Sequence, residues 1–137
     1  MKHILLLAAL ALFAGGCTEP GVPLVASDVM IKKPMPGMKM SAGYLTLTNN
    51  SKNPLVITDV TSPQFEAVEM HETIVEDGVS RMIEIGDLTI SPGSTVTFEP
   101  GGKHLMLMRP DGSLEVVALS FHSGDTIVLT IEVTPVG

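Results

Sequence analysis

Positive charge is scarce in this sequence, and cysteine is scarcer still. Beyond residue 16 the chain carries seven Lys and Arg against fifteen Asp and Glu, which leaves a side-chain net charge of −8. Such an acidic chain argues against a nucleic-acid partner and against a polybasic attachment to anionic lipid. The single cysteine is Cys17, so the chain after that position offers no thiolate.

Long hydrophobic runs are also absent after residue 16. No later stretch reaches the roughly 18 apolar residues that a membrane-spanning helix needs, so we expect no transmembrane helix in the mature chain. No segment combines a 3.6-residue apolar period with helix caps. Many short runs rich in Val, Ile and Thr, separated by Gly, Pro and Asp turns, predict instead a single all-β domain, a sandwich or a barrel.

The first residues have the composition of an export signal. Lys2 precedes an uncharged apolar run, and small residues lead to Cys17. Residues 1–16 are therefore predicted to be a secretory signal peptide of the lipoprotein type, with a lipidated Cys17 as the first mature residue. Ordinary cleavage that leaves a free thiol is the alternative, because Ala14 stands where a bacterial lipobox usually has Leu. Residues 17–23 then form a tether, residues 24–137 form the domain, and only the acyl chains attach the protein to a membrane.

Four later residues form the spaced pattern His-x10-Met-x21-His-x-Met: His71, Met82, His104 and Met106. Two predicted strands meet at Asp77-Gly78, a dipeptide that accepts the positive φ angles of a tight hairpin. A two-residue loop leaves His71 diagonal to Met82 on one face of the hairpin, roughly 7–8 Å apart. A bulged three-residue loop could instead place His71 and Met82 on opposite faces.

The strand that carries the second histidine alternates by residue type. His104, Met106 and Met108 point to one face, and Leu105 and Leu107 point to the other, because side chains alternate along a strand. The leucines are expected to face the core, and the His and Met side chains are expected to share the opposite surface.

Two imidazoles and two thioethers make a soft, uncharged ligand set, which favours Cu(I) over hard cations. A blue-copper electron carrier is excluded because its site needs a cysteine thiolate. Zinc is the alternative metal, since Glu69, Glu72 and Glu84 lie near His71 in the sequence and could supply oxygen ligands. Taken one at a time, each methionine could be a core filler and each histidine a hydrogen-bonded surface residue.

The pattern resembles the signature of the PCuAC family of periplasmic copper(I) chaperones. The flanking sequence is similar too: Met70 to Thr73, Asp77-Gly78-Val79, Gly101-Gly102 before His104, and Ser41 to Asn49. The resemblance implies a cupredoxin-like Greek-key fold and a monomer that is not an enzyme. It also implies Cu(I) held by the four residues outside the cytoplasm and delivered to an acceptor, such as the dinuclear copper centre of cytochrome c oxidase.

Two rival functions remain open, a periplasmic copper-buffering or resistance lipoprotein and a metal-free interaction module with a Met-rich face. The Pro- and Gly-containing loop after the first strand carries Met35, Met38 and Met40, which are either auxiliary copper ligands or an apolar rim. Ser120 and His122 lie close to Asp125 in the sequence, but catalytic triads are recognised by spatial geometry, and we interpret His122 as a strand-end residue.

Overall fold

The computed structural model describes residues 22–137, so the predicted signal peptide, Cys17 and most of the tether lie outside the described residues. Within that range the chain forms eleven β-strands and no helix long and apolar enough to cross a membrane. The strands are β1 Leu24–Ile31, β2 Met40–Asn49, β3 Leu55–Ile57, β4 Asp59–Thr61, β5 Phe65–Glu76, β6 Val79–Glu84, β7 Leu88–Ile90, β8 Thr95–Phe98, β9 Lys103–Pro110, β10 Val117–Ser123 and β11 Thr126–Val133.

Nine strands form one antiparallel sheet in the order β1-β2-β9-β5-β4-β10-β11, with β6 added to β5 and β8 added to β2. Strands β3 and β7 form a second, two-stranded sheet. After β11 the chain returns to the end of β1, where the Val136 amide donates to the Ile31 carbonyl oxygen at 2.8 Å and the Lys33 amide donates to the Val136 carbonyl oxygen at 2.9 Å. The large sheet is therefore nearly closed, which confirms the predicted all-β architecture.

Inward and outward side chains alternate along the central strands. Leu105 and Leu107 of β9 are completely buried, and Met70 and Val68, their partners on β5, are buried as well. The intervening residues of both strands point to the opposite face. This confirms the expected separation of a leucine core from a His- and Met-bearing surface.

The β5–β6 hairpin has the predicted two-residue turn. Asp77 and Gly78 both have positive φ angles, 51° and 76°, as a type I′ turn requires. The register pairs Thr73 with Met82 and His71 with Glu84, so His71 and Met82 are diagonal neighbours on one face. The prediction that His71 and Met82 lie on the same face of the hairpin is therefore correct.

Strands β3 and β4 are separated by a single residue, Thr58. Residues before Thr58 pair with β7 in the small sheet, whereas residues after it pair with β10 and β5 in the large sheet. The Thr58 amide donates to the His122 carbonyl oxygen at 2.8 Å, and the Gly124 amide donates to Thr58 Oγ1 at 3.0 Å. Residues on both sides of Thr58 favour strands, so only tertiary pairing divides the segment.

Asn49 is a completely buried polar residue at the end of β2. Its Nδ2 donates to the carbonyl oxygens of Ile90 and Asn53, both at 2.9 Å. Its Oδ1 accepts from the amide of Ser51 at 2.9 Å and from the Ser51 hydroxyl at 2.7 Å. One side chain thus joins the large sheet to the small sheet and to the turn after β2.

We predict that Asn49→Ala lowers the free energy of unfolding by about 2–4 kcal/mol, because it leaves buried backbone groups without hydrogen-bond partners. Urea denaturation of the described domain measures the change. Asn50→Ala is the matched control, since the Asn50 side chain is exposed. Equal stability of the two variants would contradict the structural role assigned to Asn49.

Candidate metal centre

The four predicted ligands lie on the outer face of three neighbouring strands, β6, β5 and β9. His71 of β5 pairs directly with His104 of β9 on one side and with Glu84 of β6 on the other. The two imidazole centroids are 5.9 Å apart, and the ring planes are inclined at 51°. The fold thus brings together two histidines that are distant in the sequence, on directly opposed positions of adjacent strands.

The two methionines flank this His pair from opposite sides. Met106 pairs with Glu69, two residues before His71, and Met82 pairs with Thr73, two residues after it. Each methionine is therefore diagonal to His71, a relation that separates residues by roughly 7–8 Å. Met82 is 57% exposed and is the most open of the four side chains.

His71 is held by a carboxylate on its own strand. Its Nε2 lies 2.8 Å from Glu69 Oε2, and because a carboxylate only accepts, Nε2 carries the hydrogen. The other ring nitrogen, Nδ1, is buried and has no hydrogen-bond partner. The neutral ring therefore has an unused lone pair at Nδ1.

His104 is oriented by a backbone carbonyl. Its Nδ1 donates to the Gly102 carbonyl oxygen at 3.2 Å, so the lone pair of the neutral ring is at Nε2. The residue is only 8% exposed. Each imidazole thus has one nitrogen engaged with the protein and one lone pair that could bind a metal.

The carboxylates proposed for zinc do not assemble into a cluster. Among residues 22–137, no three His, Cys, Asp or Glu side chains are arranged to hold a metal ion. Glu69 is bonded to His71, and Glu72 is bonded to Lys103 Nζ at 3.1 Å. The described residues therefore give no support to a zinc site built from His71 and these carboxylates.

The segment from Met35 to Met40, which ends at the first residue of β2, brings three methionines to one cavity. Met35, Met38 and Met40 all line this cavity, which has a volume of about 740 Å³ and lies beside the start of β2. Met40 also pairs with Met108 of β9, on the face that carries Met106. The loop methionines therefore continue the surface formed by the predicted ligands.

Ser120 and His122 do not form a catalytic pair. The Ser120 hydroxyl is 3.0 Å from Thr130 Oγ1, and His122 Nε2 is 2.8 Å from Thr61 Oγ1. Both side chains bond to neighbouring strands, in agreement with a structural role for His122.

Glu69 was expected only as an oxygen ligand for zinc, and its hydrogen bond to His71 was not predicted. The spacing contained the signal, since residues i and i+2 of a strand point to the same face. The carbonyl of Gly102 gave no such signal, because its position depends on the path of the chain into β9.

Comparison with known proteins places the chain in a family. Residues 24–133 match the family model described as "Putative lipoprotein LpqE-like". The chain is 30% identical over 103 residues to "Putative lipoprotein Lxx21020" of Leifsonia xyli, an alignment that covers 71% of this chain and 62% of that protein. It is 34% identical over 71 residues to the uncharacterized protein RP573 of Rickettsia prowazekii, over 51% of this chain and 39% of that protein. The chain therefore spans less than two thirds of the length of either relative.

Solved structures of the same fold include two copper-bound domains. The solution structure of CuI-DR1885 from Deinococcus radiodurans superimposes with a TM-score of 0.61 at 26% identity, over 89% of this chain and 82% of that chain. The copper-bound PCuAC domain from PmoF2 gives a TM-score of 0.60 at 18% identity, over 82% and 90%, and shows the fold alone. These likenesses confirm the resemblance to PCuAC domains and the expected cupredoxin-like fold. The match over residues 24–133 shows that the chain belongs to the LpqE-like lipoprotein family, and its fold is that of the PCuAC domains.

Proposed function

We propose that this protein is a copper(I) chaperone, not an enzyme, and that it holds its ion through His71, Met82, His104 and Met106. The observation that carries the proposal is the lone pair of His71 Nδ1, buried, unpartnered and beside His104. A buried polar atom without a partner costs a protein about 1–3 kcal/mol. Binding of a metal at Nδ1 removes this cost, so the cost favours the loaded state.

The donor set selects the ion. Imidazole nitrogen and thioether sulfur suit Cu(I), and neither neutral ligand loses a proton when it binds. The solution structure of CuI-DR1885, at 26% identity, adds independent support for a Cu(I) cargo.

Hydrogen bonds pre-orient both imidazoles for the ion. The Glu69 carboxylate holds His71 with Nδ1 as the free nitrogen, and the Gly102 carbonyl holds His104 with Nε2 free. Outer partners of this kind fix the tautomer and the ring orientation of metal-binding histidines. The rotational entropy lost on metal binding is correspondingly small.

Met82 has the position of an exchangeable ligand. It lies on β6, whose only strand partner within residues 22–137 is β5, and every residue of β6 is exposed. An acceptor protein can therefore approach this edge and replace the Met82 thioether while the two histidines still hold the ion. We assign release of copper to this edge.

The cell envelope is the site of action that the sequence and family support. Residues 1–16 direct export, a lipidated Cys17 anchors the protein, and the family is described as a lipoprotein family. The domain then works on the periplasmic side of a membrane as a monomer. Its acceptor is an extracytoplasmic copper site such as the dinuclear centre of cytochrome c oxidase.

The hydrogen bond from His71 to Glu69 predicts which tautomer His71 adopts in the metal-free protein. In the neutral state, His71 should carry its hydrogen on Nε2 and His104 on Nδ1, as measured by long-range proton–nitrogen correlation NMR. Glu69→Ala should mix the tautomers of His71, leave those of His104 unchanged, and weaken Cu(I) binding by about tenfold.

Glu72→Ala is the matched control for this experiment, because the Glu72 carboxylate bonds to Lys103 instead. A wild-type His71 with its hydrogen on Nδ1 would contradict the assigned geometry. So would an identical response of the two Glu variants.

The ligand assignment predicts the effect of removing either thioether. Met82→Leu and Met106→Leu should each weaken Cu(I) binding at least tenfold, about 1.4 kcal/mol, while the fold remains intact. Anaerobic competition against a Cu(I) chelator measures the affinity. Met30→Leu and His122→Ala serve as controls, since Met30 is exposed on β1 and His122 bonds to Thr61. Unaltered affinity in the double variant His71→Ala, Met82→Ala would overturn the site.

Copper transfer from the Cu(I)-loaded protein distinguishes a chaperone from a copper buffer. Mixed with a purified, metal-free copper domain of cytochrome c oxidase, it should transfer its Cu(I) faster than copper moves between the two proteins across a dialysis membrane. Retention of the ion under these conditions would favour the buffering lipoprotein.

The predicted anchor is tested by Cys17→Ser in the full-length chain. Wild-type protein should partition into detergent with the membrane fraction, whereas the variant should be released or remain unprocessed. Mass spectrometry of the mature N-terminus identifies the acyl chains. Wild-type protein found free in the periplasm with an unmodified thiol would show that Cys17 is not an anchor.

A further inference from the structure

We propose that Met35, Met38 and Met40 form a second, weaker Cu(I) site, the loop site. It receives the ion and passes it by way of Met108 to the site of His71, Met82, His104 and Met106, called the His-Met site below. The proposal rests on the proposed function, since it supplies that site with copper. The ligands are three thioethers, a donor set that binds Cu(I) and discriminates against hard cations.

A tight turn brings the first two sulfurs to one cavity. The Met38 amide donates to the Met35 carbonyl oxygen at 2.8 Å, and Gly37 between them has a φ of 81°. Pro36 followed by a glycine of positive φ is the arrangement of a type II turn, which fixes the positions of its two ends. Met35 and Met38 both line the 740 Å³ cavity, and Met40, the first residue of β2, lines it as well.

These three methionines do not fill the core. Met35 is 69% exposed, and Met38 and Met40 are each 47% exposed. By contrast, Met70 is 5% exposed and packs in the core. The three exposed thioethers lie within six residues of one another and line one cavity. Because none of them packs in the core, their sulfur atoms are available to a ligand.

Strand register connects the cavity to the His-Met site. Met40 is directly opposite Met108, and Met106, two residues before Met108, is opposite Ala42. Directly opposed residues on one face have Cβ atoms about 4.5–5.5 Å apart, so the Met40 and Met108 thioethers are within reach of each other. Met106 points to the same face as Met108, two residues away along β9. At each transfer one copper–sulfur bond forms as another breaks, and the ion remains Cu(I) throughout.

Charge makes the loop site the weaker of the two. Lys32 and Lys33 line the same cavity, so it has two cationic residues at its wall, and positive charge nearby disfavours a bound cation. The loop site also lacks imidazole. Copper captured there therefore moves downhill towards His71 and His104.

The test is an anaerobic Cu(I) titration of the mature protein against chelators of graded affinity, with methyl NMR of labelled methionines. Wild-type protein should bind two ions in separate steps, the second at least tenfold weaker. The first step should shift the methyl signals of Met82 and Met106, and the second should shift those of Met35, Met38 and Met40.

The triple variant Met35→Leu, Met38→Leu, Met40→Leu should lose only the second step, and Met30→Leu, with a methionine of similar exposure, should lose neither. The double variant His71→Ala, His104→Ala should keep the weak step alone, so failure of the main site and failure of the loop site are distinguishable. A triple variant that keeps both steps would overturn the proposal. So would a wild-type protein whose loop methyl signals do not respond to copper.

Discussion

The pairing of β5 with β9 is the interaction on which both the core and the candidate site depend. On the inner face this pairing places Met70 beside Leu105 and Val68 beside Leu107, and on the outer face it places His71 beside His104. A slip of one residue would move the leucines into solvent and the imidazoles into the core. Burial of completely enclosed leucines therefore fixes the register that brings the two histidines together.

The two ring environments give this pair its chemistry. Glu69 and Gly102 each engage one nitrogen of a histidine, and the nitrogen left over on His71 is buried without a partner. Each imidazole thus has one nitrogen bonded to the protein, and the other nitrogen is the one that the proposed site uses. The thioethers around it differ in exposure, from half-buried Met106 to open Met82. In the proposed function, this difference in exposure lets the histidines hold the ion while Met82 releases it at the β6 edge.

Local features of the fold were predictable from sequence, and non-local features were not. Asp77-Gly78 determined the hairpin register, and alternation around Leu105 and Leu107 identified the inner face of β9, because both depend on neighbouring residues. The direct pairing of His71 with His104 depends on a strand contact between segments about thirty residues apart, which the spacing alone does not encode. The division at Thr58 and the return of Val136 to β1 have the same origin, since each is decided by which strand lies nearby.

The candidate site also combines features that the sequence predicts with features that it does not predict. Its residue types indicated a soft metal, and their spacing supported the family resemblance. The tautomers of His71 and His104 required coordinates, because each depends on one hydrogen bond.

The most direct test of the proposed copper site is X-ray absorption at the copper edge of mature protein loaded with half an equivalent of Cu(I). Both imidazole nitrogen and thioether sulfur should surround one copper ion. A shell of sulfur alone, or of nitrogen and oxygen alone, would contradict the proposed site.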